Sequence, residues 1–293
     1  MNPRKKLREL VARRRLLVAP GAFDGLSARL VEEAGFEAVY LSGGAVARST
    51  GVPDIGLLTM SEVIERAAQV VSVVKIPVIA DADTGYGNAL NLVRTVRELE
   101  RVGVAAIHIE DQVTPKRCGH LEGKEVISLA EMEKKLEAAL ASRTDQDFMI
   151  IGRTDARAIH GLKDAIRRGK SFARLGADAV FIEAPQSEAE LESIARSISE
   201  IPLMVNMFKG GKTPLLPTSR LEKMGYRIAI FPSETQRAAI HAMKEALSLL
   251  KRDGSTEAMD DRLATFQERD RLVGLGDWEQ LEQQYLKSVV EKE

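Results

Sequence analysis

Four times along this chain a glycine closes a helical pattern two residues before a short apolar run. Gly35 precedes EAVYLS, Gly103 precedes AAIHIE, Gly176 precedes DAVFIE and Gly225 precedes RIAIFP. Seven residues beyond each glycine stands Ser42, Glu110, Glu183 or Pro232. A glycine at a helix end followed by a β-branched or aromatic run is the helix-to-strand half of a βαβ unit. Four further apolar runs, RLLVAP, IPVIADAD, DFMIIGRTD and IPLMVNM, fall between these and bring the strands to eight. Helical patterns separate them. SARLVEEAG follows Asp24, and Ser128-Leu-Ala-Glu131 and Ser187-Glu-Ala-Glu190 read as capping boxes that open helices. Nearly continuous apolar strands alternating with helices demand a parallel sheet covered on both faces. Eight such units close most naturally into a (β/α)8 barrel. The alternative is an open doubly wound sheet, and no Gly-rich dinucleotide fingerprint follows the first strand to support it. No linker rich in Pro, Gly or Ser interrupts the pattern, so residues 1–293 read as one domain with a helical tail from about residue 240 to 293.

Charge narrows the partners. Lys plus Arg number 42 against 43 Asp plus Glu, so no global field points to nucleic acid or a membrane surface. No apolar run approaches the roughly 20 residues of a membrane span. A single cysteine excludes an internal disulfide and leaves too few ligands for a structural zinc site, which fits a reducing, cytoplasmic setting. The basic start MNPRKKLREL could be read as a targeting peptide. However, Leu7, Leu10 and Val11 share one helical face, so a first helix packed on the domain is expected. Trp278, with Leu281 and Tyr285, reads as core or subunit packing.

In a barrel of this kind the site lies at the C-terminal ends of the strands, and there the polar residues collect. The second strand ends in Ser42-Gly43-Gly44, the third in Asp81-Ala-Asp83, and the fourth in Glu110-Asp-Gln. The fifth ends in Arg153-Thr-Asp155, the sixth in Glu183 and the seventh in Asn206. Asp81 and Asp83, two apart, leave the same face of their strand, and Glu110 is their neighbour on the next. Carboxylates so close repel unless a cation neutralises them, and an all-oxygen set suits Mg²⁺ or Mn²⁺. The alternative is that some of them cap helices. Arg153 offers a bidentate fork for a substrate carboxylate or, equally, a structural ion pair. His108, between Ile107 and Ile109, is adjacent to the proposed metal site and reads as a ligand or a supporting group.

The only cysteine lies just past the fourth strand, in KRCGHLEGK (116–124). Two glycines let this loop move. Lys116, Arg117 and His120 around Cys118 should favour the thiolate and tune the thiol for proton transfer near neutral pH. On spacing alone, a silent structural cysteine is as good a reading.

KRCGH after EDQ, together with YLSGG (40–44) and DADTGYGN (81–88), resembles the isocitrate lyase/phosphoenolpyruvate mutase superfamily over roughly residues 10 to 250. The resemblance implies a barrel whose terminal helix is swapped between subunits in a homotetramer. It also implies Mg²⁺ and a 2-oxo or 2-hydroxy acid substrate. Carried over by motif, Asp81 and Asp83 would bind the metal, with Asp54 of GVPDIG and Glu110 reaching it directly or through water. Ser42, Gly43, Gly44, Gly119, Arg153 and Asn206 would hold substrate. Cys118 would act as the acid, with Lys116, His120 and Glu183 as supporting catalytic groups. The Cys loop resembles the gating loop of the family's carbon–carbon lyases. The implied reaction is retro-aldol cleavage of a 2-hydroxy di- or tricarboxylate to pyruvate and a second acid.

NMFKGGKTPLLP and LVGLGDWEQLE look like dimethylmalate lyase and its alkylmalate-cleaving relatives. Methylisocitrate lyases carry a TEFG-type stretch after the asparagine and often an arginine near the position of Phe266. Arg157 and Arg237 are the next cations that could serve an extra carboxylate. KRCGHLEGK also resembles carboxyphosphonoenolpyruvate mutase, which leaves P–C chemistry as an alternative, beside oxaloacetate hydrolysis or decarboxylation and a barrel that only binds oxyacids.

Overall fold

The computed structural model describes residues 2–119 and 121–286. In it the eight apolar runs become eight strands: β1 (Leu17–Ala22), β2 (Val39–Leu41), β3 (Val78–Asp81), β4 (Ala106–Glu110), β5 (Met149–Thr154), β6 (Ala179–Ile182), β7 (Leu203–Asn206) and β8 (Ile228–Phe231). Each pairs in parallel with the next, and β8 returns to β1 through Leu17↔Ile228 to Pro20↔Phe231, so the sheet has no edge. Helices alternate with the strands, and the chain forms the (β/α)8 barrel its sequence predicts.

The four glycines do the same job at four corners. Gly35, Gly103, Gly176 and Gly225 have φ of 81, 95, 93 and 107°. At each corner the next amide reaches back five residues: Phe36 to Val31, Val104 to Leu99, Ala177 to Phe172 and Tyr226 to Leu221. This is the Schellman closure, which satisfies carbonyls that a helix end leaves open. A side chain at these positions would meet left-handed strain of ~1–2 kcal/mol.

The two serine caps also form, but not as boxes. Ser128 accepts the Glu131 amide and Ser187 the Glu190 amide, opening the helices Leu129–Ser142 and Glu188–Ser197. The reciprocal bond does not close. Glu190 turns instead to the Gln186 amide (2.8 Å) and to the Arg157 guanidinium (2.7 and 2.8 Å), because a bidentate ion pair outcompetes a single neutral amide.

Inside the barrel wall Leu17, Tyr40, Ile79, Ile151, Phe181 and Ile228 share one apolar cluster with Leu7, Leu10 and Val11 of the helix Pro3–Ala12. That first helix packs on the barrel, as its apolar face requires. Arg4 donates to the Val104 carbonyl (3.1 Å) and pairs with Asp145 (2.8 Å), while Arg8 pairs with Asp178 (2.8 Å). A second, larger cluster lies between the strands and the surrounding helices.

The chain divides into two compact units, the barrel up to Gln236 and a helical unit from Arg237. The second holds most of the helix Glu234–Asp253, then Phe266–Leu272 and Leu275–Tyr285. Trp278 is 68% exposed, and Leu281 and Tyr285 are exposed beside it, so in the single chain they are not core. Among the described residues no helix is long and apolar enough to cross a membrane.

Candidate active site

Strand register decides which polar side chains meet. Asp81 is the cross-strand partner of His108, and Glu110 of Arg153. Asp81, Asp83 and Glu110 are all buried at the rim. Asp54 joins them from the segment after the short helix Gly43–Ser49. The Lys116 ammonium stands between two of these acids, 2.6 Å from Asp54 Oδ1 and 2.8 Å from Asp83 Oδ1.

The backbone here is shaped for the purpose. Among the described residues, Asp83, Tyr86 and Ala184 are the non-glycine residues with positive φ (47, 60 and 56°), and all three follow rim strands β3 and β6. Left-handed backbone in such residues costs of order 1–3 kcal/mol each and persists where surrounding contacts impose it. After the neighbouring strand β2 the glycines let backbone touch acid. A methyl on Gly43 would lie 2.7 Å from Asp81 Oδ2, and one on Gly44 2.7 Å from Asp54 Oδ2. Ser42 caps that helix by accepting the Ala45 amide at 3.3 Å, and it also lines the cavity.

Burial and charge set the protonation states. Burial pushes the Asp83 carboxyl up, Asp81 and Asp54 add to the rise against Lys116, and it reaches about 6. Burial likewise drives Glu110 well above the usual carboxylate range, against Arg153. Asp81 feels the same burial, yet the cations facing it hold it at about 2. His108 is pushed down to about 4 by burial, so near neutral pH it is uncharged. Lys116 and Arg153 therefore provide the positive charge that Asp81 feels there. The His108 Nε2 lies 2.8 Å from the Tyr40 hydroxyl, and its ring is fully buried between Tyr40 and Phe181. Its Nδ1 stands 3.7 Å from Asp81 Oδ1, and the ring does not line the cavity.

Glu110 Oε1 is buried without a hydrogen bond among the described residues, while Asp83 Oδ1 and Glu110 Oε2 are met by the Lys116 ammonium (2.8 Å) and the Arg153 guanidinium (3.0 Å). Six carboxylates (Asp54, Asp81, Asp83, Glu110, Asp155, Glu183) gather around three cations (Lys116, Lys124, Arg153). No three acidic, His or Cys side chains among the described residues already converge as a metal site. The orphaned Glu110 Oε1 and the surplus of carboxylates over cations fit a hard divalent cation, which Asp81, Asp83 and Glu110 would hold with Asp54 facing it.

A pH dependence follows. The folded-state value of Asp83 lies above its ordinary 3.8, so the folded protein gains stability from this proton as pH falls from about 6 towards 4. Metal binding needs the ionised form and is lost over the same range. Mn²⁺ affinity should fall by at least about tenfold per pH unit below pH 6. Calorimetric titration at pH 5 and pH 7 checks this, and equal affinities would contradict it.

Arg153 is held by acids on three sides. Its Nη1 lies 3.0 Å from Glu110 Oε2, its Nε 3.0 Å from Asp155 Oδ2 and its Nη2 3.7 Å from Glu183 Oε2. It also lies over the Phe181 ring and lines the cavity, so the structural ion pair that the sequence allowed forms on the cavity wall. Asn206 Nδ2 sits 3.5 Å from both Glu183 oxygens.

The cysteine loop is a hairpin with a folded crown. Val113 donates to the Glu125 carbonyl and Ile127 to the Asp111 carbonyl, and Gln112 bridges Val126. The Gln112 side chain grips the Arg117 backbone on both its carbonyl (2.8 Å) and its amide (2.9 Å). The Cys118 amide donates to the Asp54 carbonyl (3.2 Å), which brings the thiol to the cavity. Lys116 and Gly119 are buried beside it, and the Lys116 ammonium faces the acids. His120, expected among the catalytic groups, lies outside the described residues.

Ser42, Gly44, Asp81, Cys118, Arg153 and Asn206 line a cavity of about 60 Å³. That is far below the ~300–1,000 Å³ of drug-sized pockets, so with the loop down the site suits a small acid. Sequence reasoning assigned no role to Tyr40, Arg48, Lys124 or Asp155. Of these, only Lys124 and Asp155 carried a usable signal, as charged residues inside the loop and at a strand end. The guanidinium of Arg157 is engaged by Glu190, so it is not the spare cation that the sequence suggested.

A closed (β/α)8 barrel that joins buried rim acids, a buried arginine and a thiol-bearing loop around one cavity is the site of a barrel enzyme acting on a small anion. The phosphoenolpyruvate phosphomutase family profile matches residues 7–251. The chain is 46% identical to 2,3-dimethylmalate lyase of Eubacterium barkeri over 97% of this chain and 99% of that one. It is 45% identical to 2-methylisocitrate lyase of Aeropyrum pernix, covering 95% and 89% of the two. Phosphonopyruvate hydrolase, solved in complex with oxalate and Mg²⁺, superposes with a TM-score of 0.90 at 32% identity, covering 98% of this chain and 100% of that one. The chain therefore belongs to the phosphoenolpyruvate phosphomutase family, within the PEP mutase/isocitrate lyase superfamily.

Proposed function

We propose that this protein is a Mg²⁺- or Mn²⁺-dependent carbon–carbon lyase. It cleaves a 2-hydroxy di- or tricarboxylate, a 2-alkylmalate such as 2,3-dimethylmalate or else 2-methylisocitrate, to pyruvate and a second acid. The observation that carries the reading is the placement of Cys118 at the same small cavity as Asp81 and Arg153. Relatives at 45–46% identity bear the names of such lyases.

Arg153 and the amides of Gly43 and Gly44 bind and orient the 2-hydroxy acid end, and Ser42 and Asn206 complete its hydrogen bonds. The rim acids Asp81, Asp83 and Glu110 would hold a divalent cation, which would supply Lewis-acid stabilisation of developing oxyanion charge. A base takes the hydroxyl proton and the freed electron pair forms the carbonyl at C2; the C2–C3 pair passes to C3, where Cys118 delivers a proton and is left as the thiolate. Glu183 holds Arg153 and Asn206 in place, and the buried loop keeps water from the carbanion. The test is a screen of 2-alkylmalates and methylisocitrate with pyruvate release coupled to lactate dehydrogenase, before and after EDTA. Absence of metal-dependent pyruvate release from every member would overturn the reading and favour P–C or oxaloacetate chemistry.

Arg48 lines the same cavity, with Nη1 donating to the Gly44 carbonyl at 2.8 Å. We assign it the carboxylate at the far end of the substrate. Arg48→Met should lower kcat/KM for dicarboxylates by about 10- to 100-fold, as expected for one lost charged contact, and leave oxalate inhibition within about threefold. With Phe266 in place of a further arginine, small alkylmalates should outrun methylisocitrate. The exposed Phe266, Trp278 and Tyr285 support a tail that packs on other copies in a cytoplasmic, helix-swapped homotetramer.

A further inference from the structure

We infer that Lys124 is a positioning residue that couples the folded-down cysteine loop to the orientation of Arg153. The Lys124 side chain is only 2% exposed. An ammonium so deeply buried is tolerated only when an anion and further acceptors meet it. Here they are Asp155 Oδ1, at 2.8 Å, and the Gly119 carbonyl. The first belongs to the barrel rim, and the second belongs to the crown of Lys124's own loop, one residue past Cys118.

Asp155 passes the contact on. Its Oδ2 accepts from Arg153 Nε at 3.0 Å, and its Oδ1 takes a longer bond from Arg153 Nη2 (3.4 Å) beside that from Lys124, so one carboxylate holds both the loop lysine and the substrate arginine. Asp155 cannot drift to suit them. Its amide donates to Asp111 Oδ1 (2.9 Å), and Asp111 Oδ2 takes the Thr154 hydroxyl (2.7 Å) and Arg168 (2.9 Å). Arg153 and Lys124 together hold the Asp155 carboxyl below its ordinary range although burial pushes it up. Asp155 is thus a fixed anionic post between two cations. Without Lys124 it would bear on Arg153 alone and draw the guanidinium away from the cavity, while the Gly119 carbonyl would lose the donor that keeps the crown down.

Lys116 anchors the loop on the near side of Cys118, to Asp54 and Asp83. Lys124 anchors it on the far side. The near anchor sits among the candidate metal ligands, whereas the far one reports to the arginine. The thiol is therefore brought to the cavity only when the arginine fork is also set, which protects the carbanion from stray water until its acid is in place.

Cys118 is the only thiol of the chain, so its alkylation by iodoacetamide reads the loop directly. The full-length protein would be compared with Lys124→Met and Lys124→Arg, with and without oxalate and Mg²⁺. In Lys124→Met, alkylation should rise about 10-fold or more and protection by oxalate should vanish, as expected when charge-assisted hydrogen bonds in a buried site are lost. Mg²⁺ binding by calorimetry should change less than about threefold. Lys124→Arg, which keeps charge and donors, should retain most of the protection. Wild-type alkylation and protection in a folded Lys124→Met would overturn the inference. Should that variant fail to fold, wild-type behaviour of Lys124→Gln would overturn it equally. The kinetic arm, in which kcat falls more than KM rises, rests on the lyase reading. The alkylation arm does not, so absence of turnover in the wild type would sink that reading and leave the Lys124 result intact.

Discussion

Replacing Cys118 with serine should slow cleavage by about 10²–10⁴-fold, the usual cost of losing a general acid, while the protein stays folded and binds Mg²⁺. A thiol of ordinary pKa ~8.5 can surrender a proton to a carbanion near neutral pH, and an aliphatic hydroxyl is a far weaker acid. The substitution is nearly isosteric, and the main-chain bond from Cys118 to the Asp54 carbonyl needs no side chain. The loop should therefore still fold down. The acids expected to hold the metal come from the strand ends and the Asp54 segment, so binding of Mg²⁺ and pyruvate should survive. Pyruvate release by the coupled assay is the measurement. Cleavage at the wild-type rate would remove the thiol from the acid role and shift weight to P–C or decarboxylation chemistry, which need not end in this proton transfer.

Gly119→Ala should be nearly as damaging for a steric reason alone. A methyl at this position would lie 2.6 Å from Glu183 Cγ, 2.8 Å from its Cδ and 2.9 Å from Arg153 Nη2. Both neighbours are buried and engaged, so neither can retreat cheaply. Overpacking of this kind costs ~1–3 kcal/mol, which would fall on the loop-down state and lower kcat by up to about 10²-fold. Folding should be spared, because with the crown lifted the methyl meets nothing. Thermal melting within a few degrees of the wild type, together with the loss in kcat, would carry the prediction. Full activity would mean that the crown does not close on Glu183 and Arg153 during turnover.

Much of this was legible before any coordinates because the relevant signals are local. Gly35, Gly103, Gly176 and Gly225 predict helix ends, since only glycine adopts their left-handed φ without strain. The apolar runs after them predict buried parallel strands, since alternation would be required were one face wet. Eight such units, with polar residues at each strand's C-terminal end, then locate the rim and most of its acids. Where local signals compete, sequence reasoning erred by small amounts. Glu190 had the spacing of a capping box but found a better partner in Arg157, thirty-three residues away in sequence. Trp278 had the apolar spacing of a packed helix face, and its exposure among the described residues removes the core reading but not that of subunit packing.

What the sequence by itself determined is the architecture and the inventory: a closed barrel, a rim of carboxylates, one arginine and one thiol. Its backbone periodicity and glycine positions act over a few residues and need no distant partner. Only the tertiary structure decided how that inventory is connected. Lys116 with Asp54 and Asp83, Arg153 with Glu110 and Glu183, and Lys124 with Asp155 are pairings of charges far apart along the chain. Which charge meets which depends on strand register and loop path. A pairing gains its strength only once burial has stripped the water from both partners.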